Sequence, residues 1–175
     1  GETIGTNIKA VFSSSGNALI NQHSDINETR RILQQEDLCE LIVVTDCWMT
    51  SSAKFADYVL PGSTWVESND LANDSYASGL MGYITFMSTS LESLYNTKNL
   101  YNIGLELARR WGVEEAYTEG RTEDEWLEYL YQGTRESNPD LGLPPTYAEA
   151  QKIGFFRKFA PGTHIALQDY VQGNL

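Results

Sequence analysis

The feature that most constrains this chain is the stretch Leu41-Ile42-Val43-Val44, four consecutive apolar residues that end in Thr45-Asp46. A continuous, β-branched run without alternation predicts a strand covered on both faces, as in a parallel sheet. The flanks support this. "IKAVF" (Ile8 to Phe12) predicts an earlier strand, and "SSSGN" after it predicts a tight turn in which Gly16 and Asn17 tolerate positive φ. Asp25 with Glu28 three residues on predicts a capped helix start, followed by the helix formers of "NETRRILQQ". "SSAKFA" predicts a short helix and "YVLP" a third strand, closed by a proline that cannot donate to a ladder.

Strand, helix, strand, short helix, strand predicts an α/β fold with a doubly wound, mostly parallel sheet flanked by helices. Crossover handedness puts the loops after the strands on one edge of the sheet, where ligands bind in open α/β sheets. Ser13 to Asn17 and Thr45-Asp46 supply the polar atoms of that edge. After Pro61 the chain reads as irregular covering structure, with one strand at Gly82 to Met87. Asn96 to Trp111 predicts an amphipathic helix with Leu100, Ile103, Leu107 and Trp111 on one stripe, stopped at Gly112. Thr122 and Glu125 form a capping box for a further helix, and "YAEAQKIG" predicts a last short one. The expected division is an α/β unit over 1–93, a helical extension over 94–160 packing on it, and a tail over 161–175. The aromatic tail has no clear period and is expected to drape over this domain or meet a partner surface.

Several function classes fall away on composition. The net charge of −12 repels nucleic-acid phosphate, so no nucleic-acid partner is expected. No run is long and apolar enough to span a membrane, and no signal-peptide pattern is visible. The first residue is not Met, so a processed form or a piece of a longer chain is expected. Cys39 and Cys47 have no metal spacing, and His23 and His164 lie far from both and from each other, so no metal site and no disulfide framework are expected. GxGxxG, GxxxxGK[ST] and GxSxG are all absent, which removes the standard pyrophosphate fingerprint, the P-loop and the nucleophile elbow.

An amide and a carboxylate remain at the sheet edge. Asn17 offers one acceptor and two donors, and Asp46 two acceptors in one plane. A carboxylate so placed can take two parallel N–H bonds, as from the Watson–Crick edge of guanine, or looser ones from a ribose diol. The residues themselves leave a second reading open: Asp46 as a helix cap or turn former, and Asn17 as an Asx or left-handed turn residue. Asp57 reads as structural, Glu67 as a loop cap, Trp48 and Trp65 as core or lid residues, and Arg30, Arg31, Arg109 and Arg110 as solvated helix charges. Trp48 is near enough to Asp46 in sequence to cover a flat ligand.

Three stretches together, "SGNALINQHSDINETRRIL", "VVTDCWMTSSAKFADYVLPGSTWVESNDL" and "LYNIGLELARRWGVEEAYTEGRTEDEWLEYLY", resemble the catalytic subunits of anaerobic dimethyl sulfoxide reductases within the molybdopterin oxidoreductases. Asp46 with Met49-Thr50, Ala53, Ala56-Asp57 and Val59-Leu60-Pro61 match the broad family pattern, and "GNALINQH" and Glu119 to Trp126 the dimethyl sulfoxide reductase branch. The resemblance implies a Rossmann-like domain that binds the guanosine end of one molybdopterin guanine dinucleotide of a molybdenum bis-cofactor. It places Asn17 near the phosphate or ribose, and Thr45 with Asp46 at the guanine. Ser68 stands where some relatives have a cofactor-contacting lysine, and Asn99 where some have an aspartate. No catalytic or metal-ligating residue is implied here, since the cysteines for an iron–sulfur cluster and the molybdenum ligand have no counterpart. The resemblance implies an internal piece of a longer chain, inactive and without bound cofactor by itself. It further implies an iron–sulfur electron-transfer subunit, a membrane-anchor subunit, and a periplasmic location reached by twin-arginine export.

Overall fold

The computed structural model describes residues 5–73, 82–158, 165 and 167–174. Packing groups these residues into two compact units. Those within Gly1–Ser68 and Thr89–Arg121 form the first, and those within Asn69–Ser88 and Thr122–Leu175 the second. Both units are discontinuous in sequence and cross the expected division at residue 93.

The first unit holds a three-stranded parallel sheet, β1 (Ala10–Ser14), β2 (Leu41–Asp46) and β3 (Tyr58–Pro61), in that spatial order. Helix α1 (Ile26–Leu33) crosses from β1 to β2, and α2 (Ser51–Phe55) from β2 to β3. Because the strands advance in one direction, right-handed crossovers put both helices on one face. Ile42 and Val44 point to that face and are buried with Ala53, packed against Leu33, Phe55 and Val59. The opposite face departs from the expectation of a strand covered on both sides. There Phe12 and Tyr58, which flank Val43 in register, are 47% and 65% exposed. The same monotonic order contains no reversal, so these three strands alone make no doubly wound sheet.

Local chemistry explains the element ends. Asp25 caps α1 by accepting from the Glu28 amide at 3.2 Å, and the Thr50 hydroxyl caps α2 by accepting from the Ala53 amide at 3.2 Å. Asp57 closes the N-terminal end of the ladder. Its Oδ2 accepts from the Ile42 amide at 2.7 Å, and its own amide donates to the Ile42 carbonyl at 2.9 Å, as its structural reading requires. Helix α3 (Leu100–Trp111) begins at Asn99 rather than Asn96 and ends at Gly112, whose φ of 70° needs no Cβ. A short α4 (Glu114–Thr118) follows.

The second unit is built on an antiparallel sheet, β4 (Asp70–Asn73), β5 (Tyr83–Met87) and β6 (Phe155–Arg157), with β5 central. Helices α5 (Glu123–Ser137) and α6 (Tyr147–Ile153) carry capping boxes at Thr122/Glu125 and Thr146/Glu149. Ile84 and Phe86 of β5 are buried with Leu127, Tyr131, Leu143, Tyr147 and Ala150. Phe86 and Tyr131 meet edge to face at 5.6 Å. A final α7 (Gln168–Gln172) lies in the tail. His164 lies outside the described residues. Among the described residues no helix is long and apolar enough to cross a membrane.

Candidate functional site

The C-terminal edge of the parallel sheet gathers three loops and one approaching segment. After β1 the chain turns at Ser15, whose φ is 51° and whose amide donates to the Thr45 carbonyl at 3.0 Å. The left-handed residue is therefore Ser15, not Gly16 or Asn17: the turn tightens one step earlier to extend the β1–β2 ladder. After β2, the Asp46 carbonyl accepts from the Gly62 amide at 3.1 Å. After β3, Gly62 pairs with Lys98, whose amide donates to the Pro61 carbonyl at 3.2 Å while the Ser63 amide donates to its carbonyl at 3.1 Å. This pairing delivers Asn99 to the same edge.

Asp46 divides its carboxylate between scaffold and surroundings. Oδ1 accepts from the Trp48 amide at 3.1 Å, an Asx turn that fixes the side chain. Oδ2 receives no N–H or O–H hydrogen bond from the described residues. The Cys47 thiol beside it hydrogen-bonds the Asp46 side chain and is pushed above its ordinary pKa, by burial first and by the Asp46 charge second. A Cβ at Gly62 would lie 3.4 Å from the Asp46 carbonyl carbon and the Thr45 Oγ1, so the backbone after β3 runs in van der Waals contact with the carboxylate turn.

Asn17 is likewise divided. Its Oδ1 accepts from both the amide and the hydroxyl of Ser52, each at 2.9 Å. The Ser52 hydroxyl in turn accepts from the Ile20 amide at 3.2 Å. Ser52 is wholly buried, so the β1 loop is latched to the start of α2. The Asn17 amide nitrogen makes no hydrogen bond among the described residues and faces no partner that would occupy it.

The remaining candidates separate. Thr45 is 3% exposed; by alternation its side chain stands on the Val43 face of the sheet, opposite the face that carries Asp46. Asn99 caps α3, its Oδ1 accepting from the Asn102 amide at 2.9 Å and the Asn102 side chain at 2.8 Å. Ser68 follows the 3₁₀ turn Trp65–Glu67 in extended conformation, half-buried. Glu67 is a loop tie. Oε2 accepts from the amide (2.6 Å) and hydroxyl (2.7 Å) of Thr64, and Oε1 from the Leu94 amide (2.9 Å) and the Thr97 hydroxyl (3.4 Å). These bonds, the Thr64 amide foremost, hold its pKa down to about 2. Trp48 and Trp65 are not core residues, standing 74% and 82% exposed, because both fall in loops beyond the strand ends. Arg31 pairs with Glu28 and Arg109 with Glu114, both on exposed helix surface.

Sequence reasoning missed Ser52, Gly62 and Lys98. Ser52 was legible only as part of a small-residue helix start. Gly62 follows the strand-closing proline, a place where a close backbone approach leaves a glycine signal. Lys98 acts through its backbone and left no side-chain signal. Among the described residues no group of three or more His, Cys, Asp or Glu could hold a metal ion. What the edge offers is a half-free carboxylate and a free amide donor, with an indole beside them: acceptors for a donor-rich planar group, and one donor for an oxygen.

Comparison with known proteins places the chain in a family. The chain is 46% identical over 164 residues to the dimethyl sulfoxide reductase DmsA of Escherichia coli (strain K12), covering 93% of this chain and 20% of that protein. It is 40% identical over 124 residues to the trimethylamine-N-oxide reductase of Haemophilus influenzae, covering 71% of this chain and 14% of that protein. Among solved structures, acetylene hydratase from Pelobacter acetylenicus superposes with a TM-score of 0.60 at 26% identity, covering 87% of this chain and 19% of that one. The chain thus spans about a fifth of the length of DmsA. Residues 2–110, more than half of the chain, match the family described as Molybdopterin oxidoreductase, and the chain belongs to that family.

Proposed function

We propose that this chain is the part of a molybdenum oxidoreductase that holds the guanosine end of one molybdopterin guanine dinucleotide. The observation that carries the reading is Asp46: a carboxylate at the C-terminal end of a parallel strand, fixed through Oδ1 by the Trp48 amide and met otherwise by the weak donor of the Cys47 thiol. Asp46 would accept the paired N–H donors of guanine, the Asn17 amide would donate to a ribose or phosphate oxygen, and the exposed Trp48 would cover the base. The fit is to the base and sugar. Lys98, the basic residue brought to this edge, is paired with Glu106 at 3.3 Å, so charge for the phosphates has to come from elsewhere. Asn99 and Ser68 would sit at the rim, and Thr45 would act as packing beneath Asp46.

The parent enzyme would reduce an S-oxide or N-oxide by oxygen-atom transfer, the chemistry that the cofactor supplies, while this chain binds and orients. The reductase names of its relatives support that class. The hydratase among the structural neighbours argues that the shared unit does not select the reaction. The fragment reading is supported by the exposure of Phe12 and Tyr58 on one face of the parallel sheet, because parallel sheets are covered on both faces. Further strands beside β1 and helices over Phe12 and Tyr58 would complete a doubly wound, Rossmann-like domain. The partners are then the rest of the catalytic chain, an iron–sulfur electron-transfer subunit and a membrane anchor, on the periplasmic side of the cytoplasmic membrane.

The test is Asp46→Asn in the full-length enzyme. Asparagine keeps the Trp48 turn but turns one acceptor into a donor against the base. An unpaired buried donor costs about 1–3 kcal/mol, roughly 5- to 150-fold in cofactor affinity. Loading equal to wild type would reduce Asp46 to a cap. Separately, the 175-residue chain should bind GMP weakly or not at all; tight binding would favour a self-standing nucleotide module without catalytic role.

A further inference from the structure

The loop that carries Asn17 contains a second feature that the guanosine reading does not use. Both ring nitrogens of His23 face backbone carbonyls: Nδ1 lies 2.8 Å from the Ser24 oxygen and Nε2 3.0 Å from the Leu19 oxygen. A carbonyl can only accept, so each nitrogen must donate. Neutral imidazole has one N–H; only the imidazolium has two. The drawn geometry is therefore that of the charged ring, bridging the two ends of the turn Leu19 to Ser24. That turn lies between the Asn17–Ser52 latch, with its Ile20–Ser52 bond, and Asp25, the N-cap of α1.

The geometry points to His23 as a positioning residue that makes the presentation of Asn17 proton-linked: protonated, it staples the turn at both ends, and on losing its proton it releases one of the two carbonyls. The inference rests on the reading of Asn17 as a ligand-facing residue. The charged group acting on the ring is Asp25, at the start of α1; from α2 the loop meets the neutral Ser52. The His23 pKa lies above its ordinary 6.5, raised by the Leu19 carbonyl first, then by the Ser24 carbonyl and the Asp25 charge. A raised folded pKa means the staple is complete below 6.5 and is lost as pH rises through the folded midpoint.

The experiment is a nucleotide-free NMR titration of the 175-residue chain from about pH 5 to about pH 8. It follows the His23 ring nitrogens, the Ile20 amide and the Asn17 side-chain amide, with His164→Gln to separate the two histidines. His23 should titrate above 6.5. Ile20 exchange protection and the Asn17 side-chain signals should change with the same midpoint. His23→Gln, which keeps one donor and takes no charge, should abolish that step. A His23 midpoint at or below 6.5, no step at Asn17 and Ile20, or the same step in His23→Gln overturns the inference. Because no nucleotide is present, failure here is distinct from failure of the guanosine reading, which is read from cofactor loading of Asp46→Asn.

Discussion

Replacing Asn17 distinguishes its work for the fold from its work for a ligand. Its Oδ1 takes two hydrogen bonds from Ser52, at 2.9 Å each, and Ser52 is wholly buried. Asn17→Ala leaves the Ser52 amide without its acceptor, in a place water does not reach. A buried donor left unpaired costs about 1–3 kcal/mol, which is a roughly 5- to 150-fold increase in local opening at 1.36 kcal/mol per decade. Native-state exchange of the Ser52 amide reads this directly. Asn17→Asp retains an acceptor oxygen, so the Ser52 amide should stay protected, while the outward amide donor is lost. In the full-length enzyme both variants should then load cofactor poorly, but only the alanine variant should loosen α2. If Ser52 exchange is the same in wild type and Asn17→Ala, the latch does not hold the loop. If Asn17→Asp loads cofactor normally, the outward amide is not a ligand.

Two further outcomes follow from shifted groups. Glu67 titrates near 2, held there by four hydrogen bonds, so its tie contributes fully above its ordinary 4.5 and is lost as pH falls from 4.5 through 2. Amide exchange at Thr64 and Leu94 should rise over that window, and Glu67→Gln should remove the pH step. In the second unit the Tyr147 hydroxyl donates to the Asp70 carbonyl at 2.9 Å and the Met87 carbonyl at 3.2 Å. Burial first, then the Asp70 charge, pushes its pKa up to about 12. Its contribution is complete below about 10 and lost as pH rises from there through 12. Tyr147→Phe should cost about 1–2 kcal/mol in urea unfolding followed at that unit, and should remove this alkaline step.

The parallel sheet was legible because each of its signals was local. The Leu41–Val44 run, the Asp25 cap and the Gly112 stop all act within four residues of where they are written. The second unit was not legible as a unit. β4 and β6 are four and three residues long and without usable alternation, and they become strands only by pairing with β5, which β6 does across some 70 residues. The helices over 123–153 therefore read as an extension of the first sheet, when their apolar stripes answer to Ile84 and Phe86. The covering of β2 was over-read for a related reason. An apolar run records that both faces are to be buried, but not which elements bury them.

The same distinction orders the candidate site. A polar side chain at a strand end can be spent on the scaffold, offered to a ligand, or divided between the two, and sequence alone does not say which. Here the hydrogen bonds do. Glu67 spends both oxygens on loop amides and hydroxyls and is scaffold. Thr45 is buried and cannot reach outward. Asn99 spends its oxygen on the first turn of α3. Asp46 and Asn17 each anchor through one oxygen; the Asp46 carboxylate is otherwise met only weakly, by the Cys47 thiol, and the Asn17 amide nitrogen has no hydrogen bond among the described residues. Division of this kind is what preorganisation requires: the anchoring bond removes rotamer freedom before the ligand arrives, so the outward atom binds without that entropic cost. On the proposed reading the cap and the ligand roles of Asp46 and Asn17 are compatible, since the anchoring bond would be what aims the outward atom.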